Sequence, residues 1–265
     1  MSTILSSGTY YGIERKQEEG MCFKLNITRY DPFTDIGKHY HENAYLSLLI
    51  HGVYREMNRK AEQDLLPGEL IFRPAGYDHA NHFAAGGGSC LNIEFKPEAI
   101  QALIEKPVLP QVMAVYPAGT FEYLYKLLYC FIQDLGDGLQ DEYILNWLAA
   151  QTVQKIPARL LWLPRVKHIL EEELDQPYSI TGLAARVHVH PVYLARAFKE
   201  REGITPGEYR LKMRLGKAME LLFRTRESVS SIAYATGFTD AAHFIRSFRA
   251  CYPTSPHRFR ASLKS

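Results

Sequence analysis

Apolar positions in the first part of the chain recur at every second residue. In MCFKLNI, Met21, Phe23, Leu25 and Ile27 fall on one face of a predicted strand. AYLSLLIHGVYREM (44–57), ELIFRPA (69–75) and SCLNIEFK (89–96) are rich in β-branched and aromatic residues and predict further strands. Pro67-Gly68 and Gly86-Gly87-Gly88 supply turn chemistry between them. Short strands at this spacing point to a sandwich or a barrel. The period then becomes helical. TFEYLYKLLYCFIQDL aligns Phe121, Leu124, Leu128, Phe131, Ile132 and Leu135, and DEYILNWLAAQTVQKI aligns Tyr143, Leu145, Leu148 and Val153. Gly136 and Gly138 separate the two. Both faces are broad, which predicts one helix on the sheet and the other against a second subunit. The prolines of IPARLLWLPR (156–165) mark a linker, and the chain beyond Arg165 reads as helix throughout.

That last stretch repeats itself. SITGLA (179–184) returns as SVSSIA (228–233) after 49 residues. Leu194-x-Arg196-x-Phe198 returns as Phe244-x-Arg246-x-Phe248 after 50, and TPGEYR (205–210) as SPHRFR (255–260) after 50. Two related helical units follow one another. Ser179 and Ser228 are N-cap candidates, although Gly182 and Ser231 stand where a full capping box has Glu or Gln. Gly237 suits a tight left-handed turn. Phe244 and Phe248 are predicted to bury while Arg246 lies on another face. A short helix, a tight turn and a basic helix make a helix-turn-helix. GEYRLKMRLGKAMELLFR between the units reads as a longer amphipathic helix, with Tyr209, Met213, Ala218, Leu221 and Leu222 inward and Arg210, Lys212, Arg214 and Lys217 outward. It would hold two recognition helices roughly 34 Å apart, one turn of DNA.

Charge sharpens this reading. Residues 1–160 carry 14 Lys and Arg against 19 Asp and Glu, whereas residues 161–265 carry 17 against 10. A basic second half suits a polyanionic partner. The 265 residues suffice for two domains, and no apolar run has membrane-spanning length. The first dozen residues lack the pattern of a secretion signal. Four scattered cysteines indicate neither a disulfide framework nor a cysteine zinc site, so a cytoplasmic location is expected.

SVSSIAYATGFTDAAHFIRSFRACYPTSPHRFR resembles the signature of AraC/XylS-type transcription regulators. Ile232, Ala233, Gly237, Phe238, Asp240, Phe244, Arg246, Phe248, Pro256 and Arg260 match it. Ala241 and Ala242 replace usually polar residues, and Tyr252 stands near a usual glycine. The resemblance covers about one hundred residues and implies base-facing positions at the start of each recognition helix: Val192, Ala195 and Arg196 in the first, and Ala241, Ala242, His243 and Arg246 in the second. An arginine there pairs with guanine or contacts phosphate. His243 reads a base or packs. Lys199 and Arg249 fit phosphate partners.

Gly68, Pro74-x-Gly76 and His79 resemble the second motif of cupins, and His39-x-His41 followed by Gly52 resembles the first. Metal-binding cupins have a Glu where this chain has Tyr45. Three imidazoles (His39, His41, His79) suffice for Zn²⁺ or Fe²⁺. Neutral imidazoles, with Tyr45 and His82, equally suit an organic ligand. His82 faces out, fills the core or reaches the pocket. Arg73 opposes Phe72 in alternation and is expected at the surface.

The predicted fold class is α+β. Residues 1–110 would form a cupin-like ligand-sensing barrel and 111–160 a helical dimerisation region. Residues 161–265 would form an all-α DNA-binding domain with helix-turn-helix units at about 179–200 and 228–250. The expected function is an effector-responsive transcription regulator rather than an enzyme, requiring no cofactor, with activator or repressor left open by the sequence. Its expected partners are promoter DNA, a small-molecule effector, a second copy of the chain and RNA polymerase, with no membrane. The alternatives are a cupin metalloenzyme and an effector-independent regulator.

Overall fold

A computed structural model describes residues 2–58, 61–103, 109–136, 139–150 and 160–264. Gly138, Val153 and the first part of the proposed linker lie outside the described residues. The chain divides into two compact units, residues 1–152 with 223–225 and 258–265 in the first, and residues 153–222 with 226–257 in the second.

The first unit contains β1 (Thr3–Leu5), β2 (Ile13–Glu19), β3 (Phe23–Tyr30), β4 (Asp35–His41), β5 (Tyr45–Met57), β6 (Glu62–Leu65), β7 (Leu70–Arg73), β8 (His79–Phe95), α1 (Pro97–Leu103), β9 (Ala114–Tyr116), α2 (Glu122–Ile132) and α3 (Gln140–Ala150). The strands join one mixed sheet in which β8 pairs with β3, β4 and β5, and β5 with β6, β7 and β8. β1 adds in parallel to β4. The long strands β5 and β8 bend as a pair, and the sheet curls into a half-barrel. The glycine run is the bend itself rather than a turn between strands. A Cβ on Gly52 would stand 2.1 Å from the Gly87 carbonyl oxygen, and one on Gly87 would stand 2.4 Å from that of Tyr30. Only glycine permits backbones to pass so closely.

Both sheet faces are covered, which decides which residues bury. On the outer face Trp147 of α3 is fully buried, its ring 5.7 Å from Phe72 and 5.4 Å from Phe95. The buried stripe of α3 is Ile144, Trp147 and Leu148, so Tyr143 and Leu145 are only half-buried, contrary to the predicted face. In α2, Leu124, Leu128 and Phe131 bury as expected, while Leu135 is exposed. The inner face carries Tyr30, Ile36, Leu49, Tyr54, Ile71, Phe83 and Cys90. Met21 precedes β3 and is 65% exposed, so the predicted alternation begins only at Phe23.

The second unit contains α4 (Leu163–Glu172), α5 (Ile180–Arg186), α6 (Pro191–Glu202), α7 (Pro206–Arg224) up to Leu222, α8 (Val229–Ala235) and α9 (Ala241–Cys251); α10 (Pro256–Ser262) belongs to the first unit from Arg258 onward. Ser179 and Ser228 cap α5 and α8, accepting from the backbone N–H groups of Gly182 and Ser231 at 3.0 Å. Val166, Ile169 and Leu170 of α4 pack with Leu183, Ala184, Leu194, Ala197 and Phe198. In the second helix-turn-helix the core is Ile232, Ala233, Phe238, Phe244 and Phe248. Tyr252 closes it, its ring 4.5 Å from Phe248. The left-handed turn residue is Gly237 (φ 81°) in this unit and His188 (φ 55°) in the first.

α7 departs from its predicted face. Arg210 is buried rather than outward, and Arg214 is half-buried. Both donate to the Leu174 carbonyl just beyond α4: Arg210 Nη2 at 3.0 Å, Arg214 Nε at 2.9 Å and Arg214 Nη2 at 2.6 Å. Arg210 also donates to the carbonyls of Glu173 and Gln176. These guanidinium groups gather the carbonyls of the turn that leaves α4 and complement the helix's negative pole. A Cβ on Gly237 would stand 2.1 Å from the Leu174 oxygen. Gly237 is therefore required twice, for its positive φ and for this approach, which ties α4 to the second helix-turn-helix.

Candidate functional site

The concave face of the half-barrel gathers most of the predicted ligand residues. His39 of β4 lies directly across from His79 of β8 in the strand register. Their rings are 4.2 Å apart, and His41 lies 5.5 Å from His39 and 6.1 Å from His79. The chain breaks between β4 and β5 at Glu42–Ala44, which places Tyr45 at the start of β5. Tyr45 still reaches the cluster, with its ring 4.3 Å from His41 and its hydroxyl 3.0 Å from His79 Nε2. Tyr10 and Tyr11 stand over the histidines at 5.0 Å from His41 and 5.1 Å from His39. His82 is not brought in. β8 alternates His79, Asn81 and Phe83 inward, so His82 faces outward and meets Asp35 Oδ1 at 2.6 Å.

The three imidazoles can offer nitrogens lying within 4.8 Å of one another. His39 Nδ1 and His79 Nδ1 sit 2.9 Å from the carbonyls of Gly37 and Tyr77. Donation there puts the proton on Nδ1 and leaves the Nε2 lone pair. His79 Nε2 then accepts from the Tyr45 hydroxyl, while His41 Nδ1 is buried with no partner among the described residues. Burial lowers the basicity of all three, with His41 pushed down to about 3 by burial, then His39, then Arg73. They are neutral near pH 7, the state in which imidazole ligates a metal. The donors fit a divalent ion once the Tyr45 hydroxyl releases His79.

Beneath the histidines lies an ion pair absent from the sequence reading. Arg73 is 2% exposed rather than at the surface. Its Nε donates to Glu56 Oε1 at 2.9 Å, and its Nη2 donates to Glu56 Oε2 and, at 2.8 Å, to the Tyr54 hydroxyl. Asn81 also donates to Glu56, at 2.8 Å. Phe72 faces the helices and Arg73 the hollow, so alternation held but both faces are interior. Glu56 reaches the same hollow because β5 shifts register between Leu49 and His51 and again between Gly52 and Tyr54. Inward positions are odd-numbered through Leu49 and even-numbered from Tyr54. A polar strand segment ending in Glu56 was the only available signal, and it does not reveal the shift.

In the helical unit, the proposed DNA-facing residues lie outside the core. Val192, Arg196 and Lys199 on α6 are exposed and Ala195 is half-buried. On α9, Ala242, Arg246 and Arg249 are exposed, while Ala241 and His243 are half-buried. His243 packs its ring edge 5.3 Å from Phe238. Asp240 caps α9 through the His243 N–H at 2.7 Å, which lowers the carboxyl's pKa.

Comparison with known proteins agrees with this half. Residues 183–262 match the family model of a helix-turn-helix domain. The HTH-type transcriptional regulator CdhR of Pseudomonas aeruginosa is 36% identical over 94 residues, covering 36% of this chain and 28% of that protein. The HTH-type transcriptional activator RhaS of Escherichia fergusonii is 34% identical over 99 residues, covering 36% of each. The match thus spans about a third of the length of these curated relatives. An AraC-type regulator structure from Chromobacterium violaceum is 30% identical, covers 40% of this chain and 94% of that one, and has a TM-score of 0.38. Residues 183–262 are thus a helix-turn-helix domain similar to those of known transcription regulators.

Proposed function

We propose that this protein is a transcription regulator in which the helical unit binds promoter DNA and the half-barrel is a cupin-like effector sensor. The observation that carries the reading is the pair of capped helix-turn-helix units, each with an exposed arginine on its second helix (Arg196, Arg246). Homologues of that domain are transcription regulators, and the excess positive charge lies in the same half. Val192, Ala195, Ala241, Ala242 and His243 complete the base-facing set, and Lys199 and Arg249 meet phosphates. Two copies of the chain and RNA polymerase complete the assembly, and no catalytic step is assigned to it. Among the described residues no helix is long and apolar enough to cross a membrane.

Binding of the full-length protein to its own upstream DNA, titrated by anisotropy, tests this. Affinity should fall about 10³-fold or more between 50 and 200 mM salt, as counterions are released by six or more phosphate contacts. A chain lacking residues 161–265 should show no binding; binding by that chain would sink the assignment.

Within the sensor we assign His39, His41 and His79 as ligands for Zn²⁺ or Fe²⁺, on the strength of the unpartnered His41 Nδ1 and the Nδ1-to-carbonyl contacts. Metal analysis after dialysis against zinc should find close to one ion per chain and none with His79→Ala. Tyr45→Phe should tighten zinc binding, because it removes the competing hydroxyl. Equal zinc content in wild type and His79→Ala would reject the site.

A further inference from the structure

A pocket of about 160 Å³ lies within the helical unit, between the end of α4, residues 177–179, α5 and Arg210 of α7. It is several times larger than one water needs, and smaller than the roughly 300–1,000 Å³ of sites for drug-sized molecules. Size therefore favours a small ion or a molecule of a few atoms.

The chemistry of the lining selects among these. Arg210 is 8% exposed and forms one wall. Its Nη2 is taken by the carbonyls of Glu173, Leu174 and Gln176. The remaining N–H bonds, on Nε and Nη1, meet no acceptor among the described residues. Neither atom is sealed from solvent, and the pocket is the opening that this side chain lines. Ser179 adds a donor: its oxygen accepts from the Gly182 N–H at 3.0 Å, which leaves the hydroxyl hydrogen without an acceptor among the described residues. Glu173, the carboxylate of the lining, is already held by Arg186 in a two-point pair at 2.6 and 2.7 Å. Arg186 and Arg210 against Glu173 leave the lining net positive. Burial lowers the basicity of Arg210 more than Tyr178, Asp175 and Glu173 raise it. A buried guanidinium held by carbonyls alone gains from a counter-ion.

We infer that this pocket binds a small free oxyanion of phosphate size, which accepts from Arg210 and Ser179. A DNA backbone phosphate has the same chemistry, but it stays on its strand and meets exposed side chains, whereas Arg210 is recessed. A bound anion bridges α5 and α7 within the first helix-turn-helix. That it tunes DNA binding rests on the regulator reading above; its binding does not.

The test is calorimetric titration of the full-length protein, without DNA, using inorganic phosphate at constant ionic strength. Close to one phosphate per chain should bind, and the melting temperature should rise with phosphate but not with equivalent sodium chloride. Arg210→Gln should weaken binding about tenfold or more, the loss of hydrogen bonds from a charged group. That variant also gives up carbonyl contacts, so Ser179→Asp is the second. Aspartate keeps the cap and with it the fold, but it sets a negative charge in the pocket. Phosphate binding should be lost while the circular dichroism spectrum stays that of wild type. Arg196→Ala, on the exposed stripe of α6, should leave phosphate binding unchanged. No binding by wild type, binding that survives Ser179→Asp, or binding lost in Arg196→Ala would overturn the inference. So would a wild type that takes no free phosphate while Ser179→Asp lowers the salt slope of DNA binding by about one, which assigns the pocket to the DNA backbone. A protein that binds phosphate but not DNA would reject the regulator reading and leave the pocket standing.

Discussion

Arg73→Met should destabilise the half-barrel unit by about 3–5 kcal/mol. The substitution keeps much of the side-chain volume but strands the Glu56 carboxylate, which is 0% exposed and retains only Asn81 as a side-chain donor among the described residues. Tyr54 loses its guanidinium partner as well. The measurement is a urea denaturation curve followed by circular dichroism, compared with that of Arg73→Met/Glu56→Leu. The double variant should recover most of the loss, because removing both charges removes the uncompensated one. Were Arg73 at the surface, as strand alternation predicts, the single variant would change stability by no more than about 0.5 kcal/mol. A midpoint unchanged from wild type would therefore reject the buried pair.

Arg196→Ala and Arg246→Ala should each weaken binding to the upstream DNA by about 1–3 kcal/mol, and relax discrimination at one position of each half-site. The two arginines occupy equivalent positions on α6 and α9, each exposed on the face opposite the buried Phe198 or Phe244 and Phe248. Lys199→Ala and Arg249→Ala should behave differently. They should weaken binding to all sequences alike and lower the salt slope by about one. Competition titrations against single-base variants of the site separate these patterns. An Arg246→Ala protein that weakens equally on every variant would reassign that arginine to phosphate. Because the sites are on separate helices, the losses in the double variant should add.

Legibility followed the range of the interactions concerned. The helix-turn-helix half was readable because its determinants are local: Ser179 and Ser228 cap helices two or three residues away, and Phe244 and Phe248 bury by helical period. The errors in that half were long-range. Arg210 and Arg214 read as outward on the period of α7 alone, but their target, the Leu174 carbonyl, lies 36 and 40 residues away.

In the half-barrel unit the sequence determined the main strands, the two helices, and the histidines and Tyr45 as one group. A period-two pattern and a Pro-x-Gly turn are written within a few residues of each side chain they orient. Tertiary structure alone decided that β7 is interior on both faces, that the register shifts of β5 bring Glu56 under Arg73, and that His82 stays outside. It also decided that Tyr10 and Tyr11 stand over the histidine cluster. Inside and outside are properties of what packs against a strand, and a bulge of one residue exchanges them without leaving a mark in the local pattern.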